Sequence, residues 1–313
     1  MPPAISARGL RRTYGDVVAV DSLDLEVDAG EVYGFLGPNG AGKSTAVRML
    51  CTLATMTAGT ASVAGYDVVA QGDLVRLSIG VALQDAALDG KLTGRETLTL
   101  QGRYYGLAKP AINRRIDELA PLLEMGAIDR RVSTYSGGMK RRLDLAAALM
   151  HNPEVLFLDE PTTGLDPISR ATVWEQIRRL NRELGMTIFL TTQYLEEADA
   201  LTHRVGILNE GRLVAEGTPD ELKRTVGSDV VVARVAGDPD TARQAVETVA
   251  GITSTEVYGN EVSAATGDGA SVVSPVAVAL AAAGVEVIEL SIHPTTLDDV
   301  FLELTGARIE VEE

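Results

Sequence analysis

"GFLGPNGAGKST", residues 34–45, is the stretch that decides the fold of this 313-residue chain. Gly37, Gly42, Lys43 and Ser44 fit the spacing G-x-x-x-x-G-K-[ST] of a phosphate-binding loop. The apolar "EVYGFLG" before it predicts a buried strand, and "STAVRMLCTL" after it predicts a helix. Between a strand and a helix, the glycines let backbone N–H groups turn toward phosphate oxygens, and the helix adds its positive N-terminal end. This context favours a phosphate site over an ordinary glycine-rich turn.

Two acidic residues supply what such a loop needs for catalysis. Asp159 and Glu160 directly follow the apolar run "VLFL". We expect Lys43 to reach the β- and γ-phosphates, while the Ser44 hydroxyl and the Asp159 carboxylate hold Mg²⁺. Glu160 is then positioned to polarise an attacking water. The alternative, that the acids only cap the next helix, is a poor use of two carboxylates at the end of a buried strand.

A second anion site is predicted at "TYSGGMKRRLDLAAALM", residues 134–150. Ser136, Gly137 and Gly138 precede an amphipathic helix, so a hydroxyl and bare N–H groups meet at a helix N-terminus. One nucleotide has one γ-phosphate, which the first loop already binds. We therefore expect Ser136 and its glycines to contact the nucleotide held by another copy of the chain. Taken alone, a plain serine N-cap explains the motif equally well.

The order of apolar runs predicts a mostly parallel sheet built from βα units. "EVYGFLG", "EVLFLDE" and "TIFLTT" are interpreted as buried strands, with a helix-rich insertion at roughly residues 93–150 between the first two. After residue 227 the pattern changes to strand, helix, strand, strand, helix, strand, which is the order of a ferredoxin-like unit. The second of these helices is predicted at "SPVAVALAAAG", residues 274–284. A last helix, "TTLDDVFLELTG", has a threonine cap and a glycine end.

Charge marks the same boundary. The net charge is −16, yet residues 228–313 hold only 3 Lys and Arg against 15 Asp and Glu. This shift predicts two domains, 1–227 and 228–313. The acidity disfavours nucleic acid as a partner.

The single cysteine, Cys51, allows no internal disulfide and is interpreted as a small buried hydrophobe in a reducing compartment. Neither the N-terminus nor residues 269–285 predicts a signal or a membrane span.

Together these motifs resemble the nucleotide-binding domain of ABC transporters over about residues 4–225. "GPNGAGKST" resembles its Walker A loop, "VALQDAAL" its Q-loop, "YSGGM" its signature, "LFLDEP" its Walker B strand, "GLDP" its D-loop and "LTTQYLEEAD" its switch region. The resemblance implies an α/β P-loop NTPase fold with a helical signature subdomain, beside a small α+β ferredoxin-like C-terminal domain. The resemblance also implies a role for individual residues. Tyr14 would stack on adenine, and the other residues that bind ATP would be Gly37, Pro38, Asn39, Gly40, Ala41, Gly42, Lys43, Ser44, Thr45 and Gln84. Mg²⁺ would be bound by Ser44, Gln84 and Asp159, and catalysis would depend on Glu160, Gln193 and Lys43. The ATP of the partner copy would be contacted by Ser136, Gly137, Gly138 and Met139, with Asp166 making a D-loop contact.

Departures from the usual pattern refine the resemblance. Tyr135 and Met139 stand where the signature usually has Leu and Gln, and Gln193 stands where the switch usually has His. "TYSGGM", "LTTQYLEEAD" and the terminal "LDDVFLELTG" resemble the daunorubicin/doxorubicin-resistance type of ATP-binding subunit.

The Gln193 amide can donate one hydrogen bond to a phosphate oxygen and accept another, but it cannot carry a proton near neutral pH. We therefore expect it to position water and phosphate, with Glu160 as the base.

The resemblance implies a partner set as well. Two copies would sandwich two ATP·Mg²⁺ head to tail at the cytoplasmic face of the membrane and drive efflux, of drugs or other hydrophobic compounds, through a separate membrane permease. The alternatives are an importer subunit, or a soluble ABC-type ATPase acting on ribosomes or DNA. The single P-loop and the acidity disfavour the ribosome or DNA alternative. A metabolic kinase would leave "SGG" before a helix unexplained.

Overall fold

The computed structural model describes residues 2–84, 88–226 and 229–305. They form two compact units that divide between Pro219 and Asp220. The boundary predicted from the sequence, between residues 227 and 228, lies outside the described residues. Within the described ranges, no helix combines the length and the hydropathy that crossing a membrane requires.

The first unit is built on a central sheet whose strands β3 (Val32–Leu36), β7 (Val155–Asp159) and β8 (Thr187–Thr192) are buried at every position. This burial on both faces explains the run of consecutive apolar residues at the centre of β7 and of β8. All neighbouring strands in this sheet are parallel except β10, which is antiparallel to β9. In order across the sheet, the six strands of the described chain are β10 (Arg212–Gly217), β9 (Arg204–Asn209), β3 (Val32–Leu36), β8 (Thr187–Thr192), β7 (Val155–Asp159) and β6 (Ile79–Ala82).

A second sheet of the first unit supports the phosphate-binding loop from the side. Its apolar residues share one core with the helix that follows the loop and with one face of the central sheet. Cys51 lies buried in that core as a small hydrophobe, as expected. In order across this sheet, the described strands are β2 (Val17–Val27), β1 (Ile5–Tyr14), β4 (Ala58–Val63) and β5 (Tyr66–Asp67).

Helices cover the central sheet, and three of them, α3, α4 and α5, lie within residues 93–150. These three share a second core with the other face of the sheet and with α6. α3 begins with a capping box formed by Thr93 and Glu96. The described helices of the first unit are α1 (Lys43–Leu50), α2 (Gly72–Ser78), α3 (Gly94–Tyr104), α4 (Lys109–Leu122), α5 (Gly137–Ala148), α6 (Pro167–Leu184) and α7 (Leu195–Leu201).

The second unit has the predicted ferredoxin-like order of elements. Its sheet has the strand order β12-β13-β11-β14, with every neighbouring pair antiparallel. Two helices, α9 and α10, pack on one face of it around a core of small aliphatic residues. The described elements are α8 (Pro219–Val226), β11 (Asp229–Ala236), α9 (Pro239–Glu247), β12 (Ile252–Tyr258), β13 (Glu261–Thr266), α10 (Gly269–Ala282), β14 (Glu286–His293) and α11 (Leu297–Thr305).

Caps set two helix starts in this unit. The sequence pattern predicted a helix from residue 274, but α10 begins at Gly269 because the Asp268 side chain accepts a hydrogen bond from Ser271 N at 3.2 Å. At α11 the expected threonine cap is present: Thr296 Oγ1 accepts from Asp299 N, and the Asp299 carboxylate accepts from Thr296 N. The expected glycine end of α11, Gly306, lies outside the described residues.

Candidate active site

Three predicted site segments meet at one edge of the central sheet. β8 lies between β3 and β7, and its last residues pair with theirs: Thr192 with Leu36 and Thr191 with Asp159. The phosphate-binding loop follows β3, Glu160 follows β7, and Gln193 follows β8. In parallel α/β sheets, ligands bind outside the carboxyl ends of the strands. The candidate site has this position.

Two glycines of the loop lie where no larger residue fits. A Cβ atom built on Gly37 would lie 2.4 Å from Leu208 O, and one on Gly42 would lie 2.3 Å from Ala19 O. Gly42 also has φ of 101°, which disfavours any L-residue with a side chain. The loop is therefore packed against both neighbouring sheets. Pro38, Asn39, Gly40 and Ala41 form its turn, and Ser44 and Thr45 lie in the first turn of α1.

Lys43 extends back across the loop. Its Nζ donates to Gly37 O at 2.6 Å and to Pro38 O at 3.0 Å, and it lies 3.5 Å from Glu160 Oε1. Burial lowers the pKa of Lys43, and the charges of Glu160 and Asp159 oppose that effect. The ammonium group is thus held inside the loop at the point where the β- and γ-phosphates are expected.

Oxygen ligands suited to Mg²⁺ converge beside the loop. Ser44 Oγ donates to Asp159 Oδ1 at 3.1 Å, and Thr191 Oγ1 donates to the same oxygen at 2.6 Å. Among the described residues, no three or more His, Cys, Asp or Glu side chains are grouped so that they could hold a metal ion by themselves. A hydroxyl and one carboxylate fit Mg²⁺, which keeps waters and takes phosphate oxygens as its remaining ligands. Gln84 is exposed two residues after β6, and the rest of its loop, residues 85–87, lies outside the described part of the chain.

Glu160 is held in an unusual backbone conformation. Its φ is 48°, in the left-handed region, which is uncommon for a residue with a side chain. Its N–H donates to Thr191 O and to Thr191 Oγ1, both at 3.1 Å. Strained backbone of this kind persists where the surroundings fix it, and it occurs often at active sites. Here it directs a nearly buried carboxylate toward Lys43.

The Gln193 side chain is buried at the same edge, with 4% of its surface exposed. Its Oε1 has no hydrogen-bond partner among the described residues. Buried polar atoms nearly always have a partner, so this oxygen is an acceptor available for water or a ligand. The amide therefore has the hydrogen-bonding capacity expected of a residue that positions water.

The signature and D-loop residues belong to helix starts. Ser136 caps α5, with its Oγ accepting from Met139 N at 3.3 Å, and Ser136 and Gly137 are exposed. Gly138 is buried. Asp166 caps α6 because its side chain accepts hydrogen bonds from Ile168 N and Ser169 N. The hydrogen bonds that it accepts from Ser169 lower the pKa of Asp166. The serine thus acts as a helix cap within its own chain while its outer side remains open to solvent.

Tyr14 ends β1 and is 46% exposed. The Arg12 guanidinium lies over its ring, 4.4 Å from the centroid, and donates to Thr55 O and Oγ1, both at 2.7 Å. β2, the next strand, reaches the phosphate-binding loop through the contact between Ala19 and Gly42. The hairpin that carries Tyr14 is therefore tied to the loop, with one face of the tyrosine ring covered by Arg12.

Two further residues contact the candidate site, although the sequence patterns did not identify them. Thr191 joins Asp159 to the Glu160 backbone. Arg141, on α5, donates to Pro161 O at 2.9 Å and to Leu83 O at 2.7 Å, just before Gln84. The signal for Thr191 was a hydroxyl at the end of a buried strand. The sequence contains no signal that identifies Arg141, because a basic residue in an amphipathic helix is usually exposed to solvent.

Arg141 also pairs with Asp144 at 3.0 Å, and both side chains are largely buried. Burial lowers the pKa of Arg141 and raises the pKa of Asp144 to about 6, against the opposing effect of each partner's charge. Arg141 thereby ties α5 to the strand end that carries Asp159 and Glu160.

Comparison with known families agrees with this geometry. Residues 20–163 match the family described as ABC transporter. Residues 217–305 match the family described as ATP-binding protein DrrA1-3-like, C-terminal domain. The signature helix lies within the first matched range, and the switch around Gln193 lies between the two ranges.

Several relatives match the chain over nearly its whole length. Daunorubicin resistance ATP-binding protein DrrA3 of Streptomyces coeruleorubidus is 48% identical over 313 residues, which cover 99% of this chain and 98% of the relative. Daunorubicin/doxorubicin resistance ATP-binding protein DrrA of Streptomyces peucetius is 45% identical, over 97% of this chain and 92% of the relative. Nod factor export ATP-binding protein I of Rhizobium sp. (strain N33) is 41% identical, over 98% of each.

Solved structures share the fold of the first unit. An ATP-binding subunit of an ABC transporter matches 71% of this chain and 92% of its own, with a TM-score of 0.63 and 27% identity. The cbiO1 protein of Clostridium perfringens, part of the ABC transporter complex cbiONQ, matches 72% of this chain and 95% of its own, with a TM-score of 0.66 and 26% identity. The chain therefore belongs to the ABC transporter family, as an ATP-binding and ATP-hydrolysing subunit of the daunorubicin/doxorubicin-resistance type.

Proposed function

We propose that two copies of this chain bind ATP·Mg²⁺ between them and use its hydrolysis to drive export of a hydrophobic compound through a separate membrane permease. The observation that carries the catalytic part is the convergence of Lys43, Asp159, Glu160 and Gln193 at one sheet edge. The names of the relatives, which refer to daunorubicin resistance and Nod factor export, support export.

Each residue at the edge has a separate task. Lys43 and the loop N–H groups bind the phosphates, and Ser44 and Asp159 hold Mg²⁺. Glu160 takes the proton of the attacking water, and Gln193 orients that water and a γ-phosphate oxygen. When bound, Mg²⁺ neutralises charge that develops on the phosphate oxygens. Phosphoryl transfer needs positioning and charge neutralisation more than covalent chemistry from the protein, and these residues supply both.

A second copy completes each site. Ser136, Gly137, Gly138 and Met139 of one copy would contact the nucleotide held by the Walker residues of the other, and Asp166 would lie at the junction. The exposed serine and glycine at the start of α5 support this arrangement, because a helix N-terminus open to solvent binds anions readily. Tyr14 would stack on adenine, on the ring face that Arg12 leaves free, and Gln84 would reach Mg²⁺ from the Q-loop.

The chain would act at the cytoplasmic face of the membrane, as a peripheral subunit bound to the permease. The net charge of −16 supports a protein partner rather than nucleic acid. Residues 228–313 would serve assembly or regulation, without contact to the catalytic phosphates.

The test of the export role is transport into inside-out membrane vesicles that contain the chain and its permease. Daunorubicin and an unrelated hydrophilic solute are compared, with ATP or ADP, in wild type and Lys43→Ala. We expect ATP-dependent accumulation of daunorubicin alone, which Lys43→Ala abolishes. Accumulation that persists in Lys43→Ala would exclude this chain as the motor. Accumulation of the hydrophilic solute, but not of daunorubicin, would exclude the proposed substrate class.

A further inference from the structure

A buried carboxylate outside the catalytic edge joins the switch to α6. Glu197, on α7, is fully buried four residues after Gln193. Its Oε1 accepts from Trp174 Nε1 at 2.9 Å and from Thr162 Oγ1 at 2.8 Å. Trp174 lies in the middle of α6, and Thr162 lies two residues after Glu160. One oxygen atom thus connects three segments of the site.

A second contact joins the same two segments one helical turn away. The guanidinium of Arg170, on α6, lies over the Tyr194 ring, 4.4 Å from its centroid. Arg170 and Trp174 are four residues apart and so project from one side of α6. Of their partners, Tyr194 directly follows Gln193 and Glu197 lies four residues after it. We call these four residues the clamp.

The helix that carries the clamp also begins at the D-loop. Asp166 caps α6 through hydrogen bonds from Ile168 N and Ser169 N, and Arg170 N donates to Asp166 O at 2.9 Å. Because a helix moves as a rigid element, a displacement of Asp166 reaches Arg170 and Trp174 within two turns. The clamp then passes that displacement to the segment that carries Gln193.

Packing alone does not account for Glu197. The Glu197 carboxylate is fully buried, and the Thr192 hydroxyl, next to Gln193, interacts with it in addition to Thr162 and Trp174. A leucine or methionine at this position would avoid the cost of burying these polar groups. Burial raises the pKa of Glu197, and the hydrogen bonds that it accepts oppose that effect. A costly buried polar group of this kind is best explained by the fixed geometry that it imposes on its partners.

We propose that Glu197, Trp174 and Arg170 are positioning residues that couple the D-loop to Gln193, so that the water-orienting amide is in place only when Asp166 is engaged by a second copy. The inference rests on the proposed role of Gln193 and adds to it the means by which pairing of two copies is transmitted to the catalytic edge.

The first test compares the kcat of ATP hydrolysis with the Kd for ATP in the full-length chain. Glu197→Met removes the acceptor at nearly constant length and lowers kcat about tenfold, whereas Kd stays within about threefold. Glu197→Gln retains an acceptor oxygen for Trp174 and Thr162 and restores kcat to within about twofold of wild type. Trp174→Phe removes only the donor and lowers kcat about threefold.

Gln176→Met is the matched control. Gln176 lies on the same helix and is equally buried, but its Nε2 donates to Leu123 O, away from the switch. We expect this variant to keep kcat within about twofold of wild type, because its lost bond does not touch the clamp. An equal loss of kcat in Gln176→Met would overturn the clamp, since α6 would then be sensitive at any buried position. A wild-type kcat in Glu197→Met would overturn it as well.

Gln193→Ala separates failure of the clamp from failure of the catalytic assignment. If Gln193→Ala lowers kcat and Glu197→Met does not, the clamp is wrong and the role of Gln193 stands. If Gln193→Ala leaves kcat unchanged, the proposed role of Gln193 is wrong, and the coupling proposed for the clamp is then wrong as well. If Glu197→Met does not fold, Trp174→Phe and Glu197→Gln still give the comparison with Gln176→Met.

The second test uses Trp174, the only tryptophan of the chain, as a reporter. In full-length Glu160→Gln, which keeps ATP intact, ATP·Mg²⁺ changes the indole emission and ADP·Mg²⁺ does not, because ATP with its γ-phosphate is expected to hold two copies together and so to engage Asp166. Equal emission with ATP and ADP in Glu160→Gln would show that Trp174 does not sense the switch, and would overturn the proposal.

Discussion

At the scale of single residues, the amide at position 193 determines what kind of catalysis the edge supports. Gln193 brings no positive charge and has no pKa in the working range. Its unpartnered Oε1 can accept from water, while its NH₂ group can donate to a phosphate oxygen. The strained Glu160, next to Lys43, is the remaining group that can take a proton.

Gln193→Ala is expected to lower ATP hydrolysis about tenfold, because hydrogen bonds worth about 1 kcal/mol each are lost from the transition state. The affinity for ATP should stay within a few-fold, since Lys43 and the loop N–H groups provide ground-state binding. Gln193→His should be tolerated, because imidazole can donate a similar hydrogen bond, and it should add a titration near pH 6.5. Hydrolysis rates across pH 5.5–8.5 check this prediction, and an unchanged rate in Gln193→Ala would contradict it.

Residues with a local spacing rule could be found from the sequence, and residues without one could not. Lys43, Ser44 and Asp159 belong to motifs in which a strand, a turn and a helix fix the position of each side chain. Trp174 and Glu197 are 23 residues apart and meet only through the packing of α6 on α7. No periodicity in the sequence encodes that contact, so it could be found only from the structure.

At the scale of elements, α5 carries two different signals. Its first turn is exposed and presents Ser136 and Gly137, whereas its middle is anchored by the buried pair Arg141 and Asp144. The anchor reaches both the segment after β7 and the residue before Gln84. α5 is thereby tied, within one chain, to the segment that carries Asp159 and Glu160.

The anchor predicts a pH dependence. The pKa of Asp144 is about 6 in the folded chain, above the value of about 3.9 for an unfolded aspartate. The folded state therefore binds this proton more tightly, so the contribution of Asp144 to stability is complete below about pH 4 and is lost as the pH rises through about 6. Relative to Asp144→Asn, the wild-type free energy of unfolding should fall by on the order of 2 kcal/mol between pH 4 and pH 7.

Urea unfolding of wild type and Asp144→Asn at several pH values makes this measurement. Asp129→Asn serves as the control, because its exposed partner Arg95 lowers the pKa of Asp129 and the effect of pH should have the opposite sign. A difference between wild type and Asp144→Asn that is constant from pH 4 to pH 7 would contradict the assigned pKa.

Element types followed from the sequence more faithfully than element ends. The run "TIFLTT" predicted β8 with the observed bounds, because its apolar centre Ile188–Leu190 is flanked by β-branched threonines, which also favour strands. α10 starts five residues before its predicted start, because the cap at Asp268 precedes the apolar run that carries the periodic signal. The order of strands in both sheets required the structure, since pairing is a long-range property.

At the scale of the whole molecule, the acidic second unit is the part whose role the catalytic edge does not explain. A chain ending at residue 226 should bind ATP with an affinity within a few-fold of the full chain, because every residue assigned to ATP lies before it. Its pairing, its association with the permease or its coupled transport should change. Titration with a fluorescent ATP analogue and co-purification with the permease check both expectations. Loss of ATP binding in a folded truncated chain would contradict the assigned role.

The head-to-tail arrangement predicts that two damaged chains restore each other. Lys43→Ala removes the phosphate contact, and Gly137→Asp places a negative charge at the exposed start of α5. In a mixed pair, one of the two sites would combine intact Lys43 with intact Gly137, so an equal mixture should recover about a quarter of wild-type hydrolysis. A mixture as inactive as either variant alone would show that both residues act within one chain.

The rate of ATP hydrolysis by Glu160→Gln tests the central claim most directly. The substitution keeps the shape of the side chain and removes the only carboxylate assigned to accept the proton of the attacking water. We predict that Glu160→Gln binds ATP, retains it between two copies, and hydrolyses it at less than about one hundredth of the wild-type rate. Hydrolysis at half the wild-type rate or more would contradict the assignment of Glu160 and the account of the site built around it.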